Sequence, residues 1–195
     1  YSSIETFILS GLNDSFVGDA NAQTIQAGAG NDTIDAGDGD DNLQGGSGND
    51  TLIGGAGADS IDGGSGTDTV DYSGSSAGIS INLGTGTGNT GGDAEGDIFV
   101  GGTIENAIGS ANADTIVGSV GVNTIQGGAG DDVLFGNAGA DVIDGGTGND
   151  TLRAGAGDED DRFNAASFGA SGALPLSEYD NGYAGGAGDD LIMGG

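Results

Sequence analysis

The stretch AGAGNDTIDAGDGDDNLQGGSGNDTLIGGAGADSIDGGSGTDTVD, residues 27–71, repeats itself every nine residues. The sixth position of each unit is aspartate, and the eighth is aliphatic. The aspartates are Asp32, Asp41, Asp50, Asp59 and Asp68, and the aliphatic residues are Ile34, Leu43, Leu52, Ile61 and Val70. A unit with one apolar side chain buries it only by stacking on its neighbours, so this period predicts a solenoid of short strands.

A second block with the same pattern begins at Gly109. Its sixth positions hold Asp114, Asn123, Asp132, Asp141 and Asp150, followed by a degenerate unit with Glu159. Two weaker units before the first block have Asp14 and Gln23 at this position, and an isolated unit near the end has Asp190. The two blocks align without a gap at an offset of 100 residues, which indicates a tandem duplication.

The repeats divide the chain into five segments. We expect a first repeat block over 1–71, a β-rich spacer or cap over 72–108, a second repeat block over 109–159, an irregular insertion over 160–184 and a terminal repeat over 185–195.

The composition restricts the classes of partner. The chain has 31 acidic and 2 basic residues, a formal net charge of -29. Binding to nucleic acid or insertion into a membrane is not expected, because phosphates attract Lys and Arg and no apolar run approaches the roughly 20 residues of a spanning helix. The chain also has 0 Cys and 0 His, which removes most zinc sites and every His-based triad. A dissolved cation is the simplest partner that neutralises the charge.

The spacing of the aspartates predicts calcium sites. Two units make one coil of about 18 residues, so each aspartate faces the one a coil later. The predicted pairs are Asp32/Asp50, Asp50/Asp68, Asp41/Asp59, Asp114/Asp132, Asp132/Asp150 and Asp141/Glu159. Each gap offers two carboxylates and the carbonyls of glycine-rich turns, which are the oxygen ligands that Ca²⁺ prefers. Gln23/Asp41 and Asn123/Asp141 lack one anion, and we expect weaker or empty sites there.

Units such as GGSGNDTLI (45–53) and GGAGADSID (54–62) resemble the GGxGxDxUx repeat of the RTX (repeats-in-toxin) proteins. The resemblance implies an all-β fold, a right-handed parallel β-roll (a β-solenoid) with Ca²⁺ between stacked turns, type I secretion and folding in extracellular calcium. It implies several ions, roughly six to nine. Carried over from the family, the ligands are Asp14, Gly28, Gly30, Asp32, Gly37, Gly39, Asp41, Gly46, Gly48, Asp50, Gly55, Gly57, Asp59, Gly64, Gly66, Asp68, Asp114, Gly128, Gly130, Asp132, Asn137, Gly139, Asp141, Gly146, Gly148, Asp150, Glu159 and Asp190.

RTX repeats accompany several activities, so the fold does not fix the function. The duplication and the lack of a catalytic motif favour a non-enzymatic structural role outside the bacterial cell or at its surface, in an adhesin, surface layer or filament. The alternative is an accessory module of a secreted hydrolase, epimerase or cytolysin. The last residues, Gly194 and Gly195, begin a turn that leaves Asp190 without a partner. We expect that partner to come from self-association or from a larger parent chain.

Overall fold

The computed structural model describes residues 5–153, 155, 162–165 and 191–194. Glu159, Asp190 and most of the insertion predicted over 160–184 lie outside the described residues. Within them the fold is built of strands, with one short 3-10 helix, Gly92–Ala94. No helix in these ranges is long and apolar enough to cross a membrane.

The strands are short, as a nine-residue repeat requires. In chain order they are β1 (Glu5–Ile8), β2 (Ser15–Asp19), β3 (Gln23–Ala29), β4 (Thr33–Gly37), β5 (Asn42–Ser47), β6 (Thr51–Ile53), β7 (Ser60–Ser65), β8 (Thr69–Asp71), β9 (Ser80–Asn82), β10 (Ile98–Phe99), β11 (Asn106–Ile108), β12 (Thr115–Val117), β13 (Thr124–Ala129), β14 (Val133–Phe135), β15 (Val142–Thr147), β16 (Thr151–Arg153), β17 (Arg162–Ala165) and β18 (Leu191–Gly194).

Successive strands of the repeats lie on opposite faces of a solenoid. One face is a nine-stranded sheet, β2-β4-β6-β8-β11-β13-β15-β17-β18. The other face consists of a five-stranded sheet, β1-β3-β5-β7-β10, and a four-stranded sheet, β9-β12-β14-β16. Paired strands are parallel, and in the first block Ile34 lies opposite Leu52, which lies opposite Val70. The predicted parallel β-roll is therefore confirmed.

The core is the narrow space between the two faces. It is filled by the aliphatic residues at the eighth positions, and Ile34, Leu43, Leu52 and Ile61 are all 0% exposed. Full burial of such a side chain contributes about 1.5–3 kcal/mol. Each residue stacks on the equivalent residue of the next coil, so this contribution depends on neighbouring coils being in place.

The segment 72–108 continues the solenoid on one face and interrupts the ladder on the other. Strand β8 pairs directly with β11, with Thr69 opposite Asn106, so the nine-stranded sheet runs through both repeat blocks. On the opposite face β10 pairs with β7, whereas the earlier strand β9 pairs with β12. No ladder joins β10 to β9 among the described strands. The segment boundaries drawn from the sequence stay a prediction.

Candidate metal centres

The turns between strands hold their glycines in backbone conformations that other residues rarely adopt. In the turn that begins at Gly45, Gly46 has a φ of 107° and Gly48 a φ of 126°. A Cβ atom on either glycine would collide with the carbonyl oxygen of Gly28 or Gly30 in the preceding turn. These carbonyl oxygens therefore face the gap between two turns, and no side chain covers them.

The other predicted turn residues have the same backbone conformation. Positive φ is found at Gly28, Gly30, Gly37, Gly39, Gly55, Gly57, Gly64, Gly66, Gly128, Gly130, Gly139, Gly146 and Gly148, and at Asn137, which is not a glycine.

One oxygen of each predicted aspartate links two turns. The Asp50 Oδ1 atom accepts a hydrogen bond from the Asp32 backbone N–H at 2.8 Å, and Asp68 Oδ1 accepts one from Asp50 at 2.8 Å. The same bond joins Asp41 to Asp59, Asp114 to Asp132, and Asp132 to Asp150. The structure thus brings these predicted pairs together at the spacing of one coil.

The second oxygen of most of these aspartates is buried without a hydrogen-bond partner. This holds for the Oδ2 atoms of Asp32, Asp41, Asp50, Asp59, Asp68, Asp132 and Asp150. A Cβ on Gly45 would meet both Asp50 Oδ2 and, at 2.6 Å, the carbonyl oxygen of Gly63 in the next turn. A carboxylate oxygen and a carbonyl oxygen that share a gap without a proton between them repel each other, and a cation removes this repulsion.

The oxygens that face one gap form a set suited to Ca²⁺. Between the turns at 45–50 and 63–68, these are Asp50 Oδ2 with the carbonyls of Gly46 and Gly48, and Asp68 Oδ1 with the carbonyl of Gly63. Mixed carboxylate and carbonyl oxygens are the ligands that Ca²⁺ takes, six to eight at a time. In the described part of the chain no three acidic side chains converge on one point, so carbonyls supply much of each set.

Burial raises the pKa of several of these carboxyl groups when no cation is present. The pKa of Asp59 is raised to about 7, that of Asp68 to about 6 and that of Asp132 to about 6. Desolvation is the largest cause, and neighbouring carboxylates add to it. A cation that binds at these oxygens would therefore have to compete with protons.

Asp14 and Asp114 differ because a serine occupies the second position of their turns. The Ser110 N–H donates to Asp114 Oδ2 at 2.6 Å, and its hydroxyl donates to Oδ1 at 2.9 Å. Ser10 makes the equivalent bonds to Asp14. Both oxygens of these two carboxylates therefore have protein donors, unlike the aspartates of the Gly-Gly turns.

The two amide substitutions at sixth positions differ from each other. Gln23 leaves its Oε1 atom buried without a partner, while its Nε2 donates to Asp19 at 2.9 Å. Asn123 instead donates its Nδ2 to the carbonyl of Glu105 at 2.6 Å. A neutral oxygen faces both gaps, because a Cβ on Gly118 would meet Asn123 Oδ1 together with the carbonyl oxygen of Gly136. The Ser119 N–H donates to this Asn123 Oδ1 at 2.8 Å. The expectation of weaker or empty sites at both stays a prediction.

The pairing of Asp141 with Glu159 presupposed an offset of 18 residues. Strand β15 pairs with β17 with Val142 opposite Arg162, an offset of 20 residues. The degenerate unit therefore departs from the spacing on which that pairing rested, and Glu159 itself lies outside the described residues.

Sequence reasoning missed two acidic residues in the 72–108 segment that continue the aspartate ladders. Asp97 Oδ1 accepts a hydrogen bond from Asp59 N–H at 2.8 Å, and Glu105 Oε2 accepts one from Asp68 N–H at 2.8 Å. The hydroxyl of Tyr72 donates to Asp97 Oδ2 at 2.6 Å, so this aspartate has both oxygens bonded. Asp97 precedes the buried Phe99 by two residues, which is the spacing of the repeats and a signal that could have found it.

Comparison with known families agrees with this geometry. A model of the RTX calcium-binding nonapeptide repeat (four copies) matches residues 10–43, 17–52, 35–70, 108–143, 135–160 and 183–195. These matches together span more than half of the chain. No curated protein matches the chain.

Proposed function

Because the chain belongs to the RTX calcium-binding repeat family, we propose that Ca²⁺ ions bind in the gaps between its stacked turns and that they allow the β-roll to form. The ligands are the sixth-position carboxylates together with the turn carbonyls. The gaps with the fullest oxygen sets are Asp32/Asp50, Asp50/Asp68, Asp41/Asp59 and Asp132/Asp150.

The observation that carries this proposal is the row of buried, unpartnered Oδ2 atoms. A buried polar group without a partner costs about 1–3 kcal/mol, and more if it is charged. These carboxylates also lie in a chain with a net charge of -29, whose self-repulsion opposes compaction. Bound Ca²⁺ offsets both effects, because one ion supplies the missing partner and two positive charges.

Circular dichroism of the chain in chelator and then in rising Ca²⁺ tests the proposal. We expect little strand content in chelator and a cooperative gain of strand content on addition of Ca²⁺. Mg²⁺ at equal ionic strength is the control for charge screening, since its octahedral preference and tight hydration fit these gaps poorly. A chain that is equally folded in chelator, or that folds equally well in Mg²⁺, contradicts the proposal.

We further propose a structural, non-enzymatic role outside the cell or at its surface. The tandem duplication supports it, and so does a site chemistry suited to extracellular Ca²⁺, where modules bind with dissociation constants of about 10⁻⁴ to 10⁻³ M. The described turns also expose large apolar side chains, among them Leu12, Val17 and Val120. Exposed apolar surface is suited to contact with a second copy of the chain.

Analytical ultracentrifugation with and without Ca²⁺ separates this role from that of an accessory module. Calcium-dependent association that increases with protein concentration is expected for a self-assembling structural protein. A monomer at every concentration in Ca²⁺ counts against assembly and favours the module of a secreted hydrolase, epimerase or cytolysin.

A further inference from the structure

We propose that Asp68, Thr103 and Glu105 form a further Ca²⁺ site, between the last turn of the first repeat block and the non-repetitive segment that follows. The proposal rests on calcium binding by the repeats. It goes beyond them because the family matches end at residue 70 and resume at residue 108, so Thr103 and Glu105 lie outside every matched repeat.

The backbone stacks the two turns as if they were repeats. Strand β11 follows the turn at 101–105 and pairs with β8, with Asn106 opposite Thr69. The Asp68 backbone N–H donates to Glu105 Oε2 at 2.8 Å across 37 residues of chain. Inside the repeats, the Asp50 N–H makes the same bond to Asp68 at 2.8 Å across 18 residues. Glu105 thus takes the place of a sixth-position aspartate.

The carbonyl of Thr103 takes the place of a first-position carbonyl. A Cβ on Gly63 would meet the Thr103 carbonyl oxygen and, at 2.6 Å, Asp68 Oδ2. Gly45 has the same surroundings, with the Gly63 carbonyl and Asp50 Oδ2, and so does Gly127, with the Gly145 carbonyl and Asp132 Oδ2. The same two kinds of oxygen therefore face this gap as face the gaps between true repeats.

The carboxylate of Asp68 independently indicates a cation site. Its side chain is 0% exposed, and its Oδ2 atom has no hydrogen-bond partner. The other oxygen of this carboxylate already accepts the Asp50 N–H, so Oδ2 is the atom that faces the junction. A buried, unpartnered carboxylate oxygen beside a carbonyl oxygen and a second carboxylate is stabilised by a bound cation.

Hydrogen bonds fix the Thr103 turn in place. The Thr103 hydroxyl accepts the Gly63 N–H at 3.0 Å and lies 3.1 Å from Asp62 Oδ1 and 2.9 Å from the Val100 carbonyl. These hydrogen bonds hold the carbonyl oxygen of Thr103 towards Gly63. Glu105 is half-buried and one methylene longer than aspartate, so its carboxylate reaches the gap from a turn that has a different length from the repeats.

The gaps next to this one contain protein hydrogen-bond donors. Beyond Glu105, the Asn123 amide donates to the Glu105 carbonyl at 2.6 Å. On the other edge of the solenoid, the Tyr72 hydroxyl donates to Asp97 Oδ2 at 2.6 Å. In both places a protein donor stands beside the ladder oxygens. No protein donor reaches Asp68 Oδ2. Asp59 Oδ2, towards Asp97, is unpartnered as well, but the three atoms nearest a Cβ on Gly54 there all belong to Asp59, with no carbonyl among them. The gap at Glu105 therefore has the fuller set of oxygens.

Crystals of the unmodified chain grown in Ca²⁺ and then soaked in Tb³⁺ give a direct test, because anomalous scattering marks each ion. We expect a peak between Asp68 and Glu105 as well as peaks in the Asp32/Asp50 and Asp50/Asp68 gaps. Peaks in the repeat gaps with none at Glu105 overturn this inference and leave the proposed function intact. An absence of peaks in every gap overturns both.

A matched pair of variants tests the same site in solution by native mass spectrometry. Glu105→Gln keeps an acceptor for the Asp68 N–H but removes the charge, and we expect it to hold one Ca²⁺ fewer than the unmodified chain. Glu95→Gln is the control, since Glu95 is exposed in the same segment and bonds only the nearby Gly91 N–H in the described structure. An equal number of ions on both variants and the unmodified chain at subsaturating Ca²⁺ overturns the inference. If Glu105→Gln does not fold, the crystallographic result decides.

Discussion

Each ladder aspartate serves two gaps at once. Asp50 accepts the Asp32 N–H through Oδ1 and presents Oδ2 to the next gap. In the proposed sites a single carboxylate is therefore a ligand on both of its sides, and we expect the loss of its charge to affect two ions. Asp35, at a ninth position, is half-buried on strand β4 and makes none of these hydrogen bonds between turns.

Asp50→Asn is expected to weaken two calcium sites while keeping the fold of the turn. The amide oxygen still accepts the Asp32 N–H, but one negative charge is lost from each of two ligand sets, and affinity for Ca²⁺ depends on ligand charge. Isothermal titration calorimetry should show a loss of affinity on the order of tenfold or more for about two ions. Asp35→Asn, at a ninth position, is the control and should bind as the unmodified chain does. Equal affinities for the two variants contradict a shared ligand at Asp50.

Tyr72→Phe is expected to destabilise the folded protein even in saturating Ca²⁺. Tyr72 is 3% exposed and Asp97 is 1% exposed, so removal of the hydroxyl leaves a buried carboxylate oxygen without its donor. The expected loss is about 1–3 kcal/mol in the free energy of unfolding, measured by urea denaturation. Asp97→Asn and the double variant complete a cycle, and a coupling energy of zero would show that the hydrogen bond contributes nothing.

At the scale of the element, the strands and turns of the repeats could be predicted from sequence because every unit has the same length. Equal lengths fix the register, so residues one coil apart, such as Asp41 and Asp59, were paired correctly. Asp97 and Glu105 could not be paired in this way, because an insertion changes the spacing to 38 and 37 residues. The buried Tyr72 was also missed, since an aromatic residue in a non-repetitive spacer gives no indication of its partner.

Gly48→Ala is expected to damage both the turn and the calcium site. Gly48 has a φ of 126°, and a Cβ there would collide with the Gly30 carbonyl that faces the gap. The strain is of order 1–3 kcal/mol, and the displaced carbonyl is also a proposed ligand. The midpoint of the calcium titration followed by circular dichroism should therefore move to higher Ca²⁺. Gly74→Ala is the control, because nothing lies within 4 Å of its added Cβ, and its midpoint should not move. A shift of equal size in both variants would contradict a specific role for the turn.

At the scale of the whole molecule, one continuous sheet joins the two repeat blocks. Because β8 pairs with β11, the turns on that edge form a single ladder that passes through the 72–108 segment. Nearest-neighbour stacking carries stability along such a solenoid, so ions on one side of the segment help to order the coils on the other. The Tyr72–Asp97 hydrogen bond and the Asn123–Glu105 hydrogen bond supply links within this region that need no ion.

Ca²⁺ is expected to add less stability to the fold as the pH falls. In the ion-free fold the pKa values of Asp59, Asp68 and Asp132 are raised to about 7, 6 and 6, above the ordinary value of 3.8. These raised values mean that the ion-free fold holds more protons than the unfolded chain between about pH 4 and pH 7, so its own stability falls as the pH rises through that range. Ca²⁺ must displace those protons, and its affinity changes in the opposite direction.

The gain in strand content that Ca²⁺ produces should therefore be smaller at pH 5.5 than at pH 7.5. Each proton that an ion displaces lowers the affinity of the folded chain for Ca²⁺ by about tenfold per pH unit below the raised pKa. In chelator, residual strand content should be greater near pH 5 than near pH 8. Circular dichroism at constant ionic strength, in chelator and in saturating Ca²⁺ at each pH, measures this gain. A gain that does not change with pH would contradict the competition between protons and Ca²⁺ for the buried aspartates, because oxygens that are already ionised in the ion-free fold hold no protons that stabilise it.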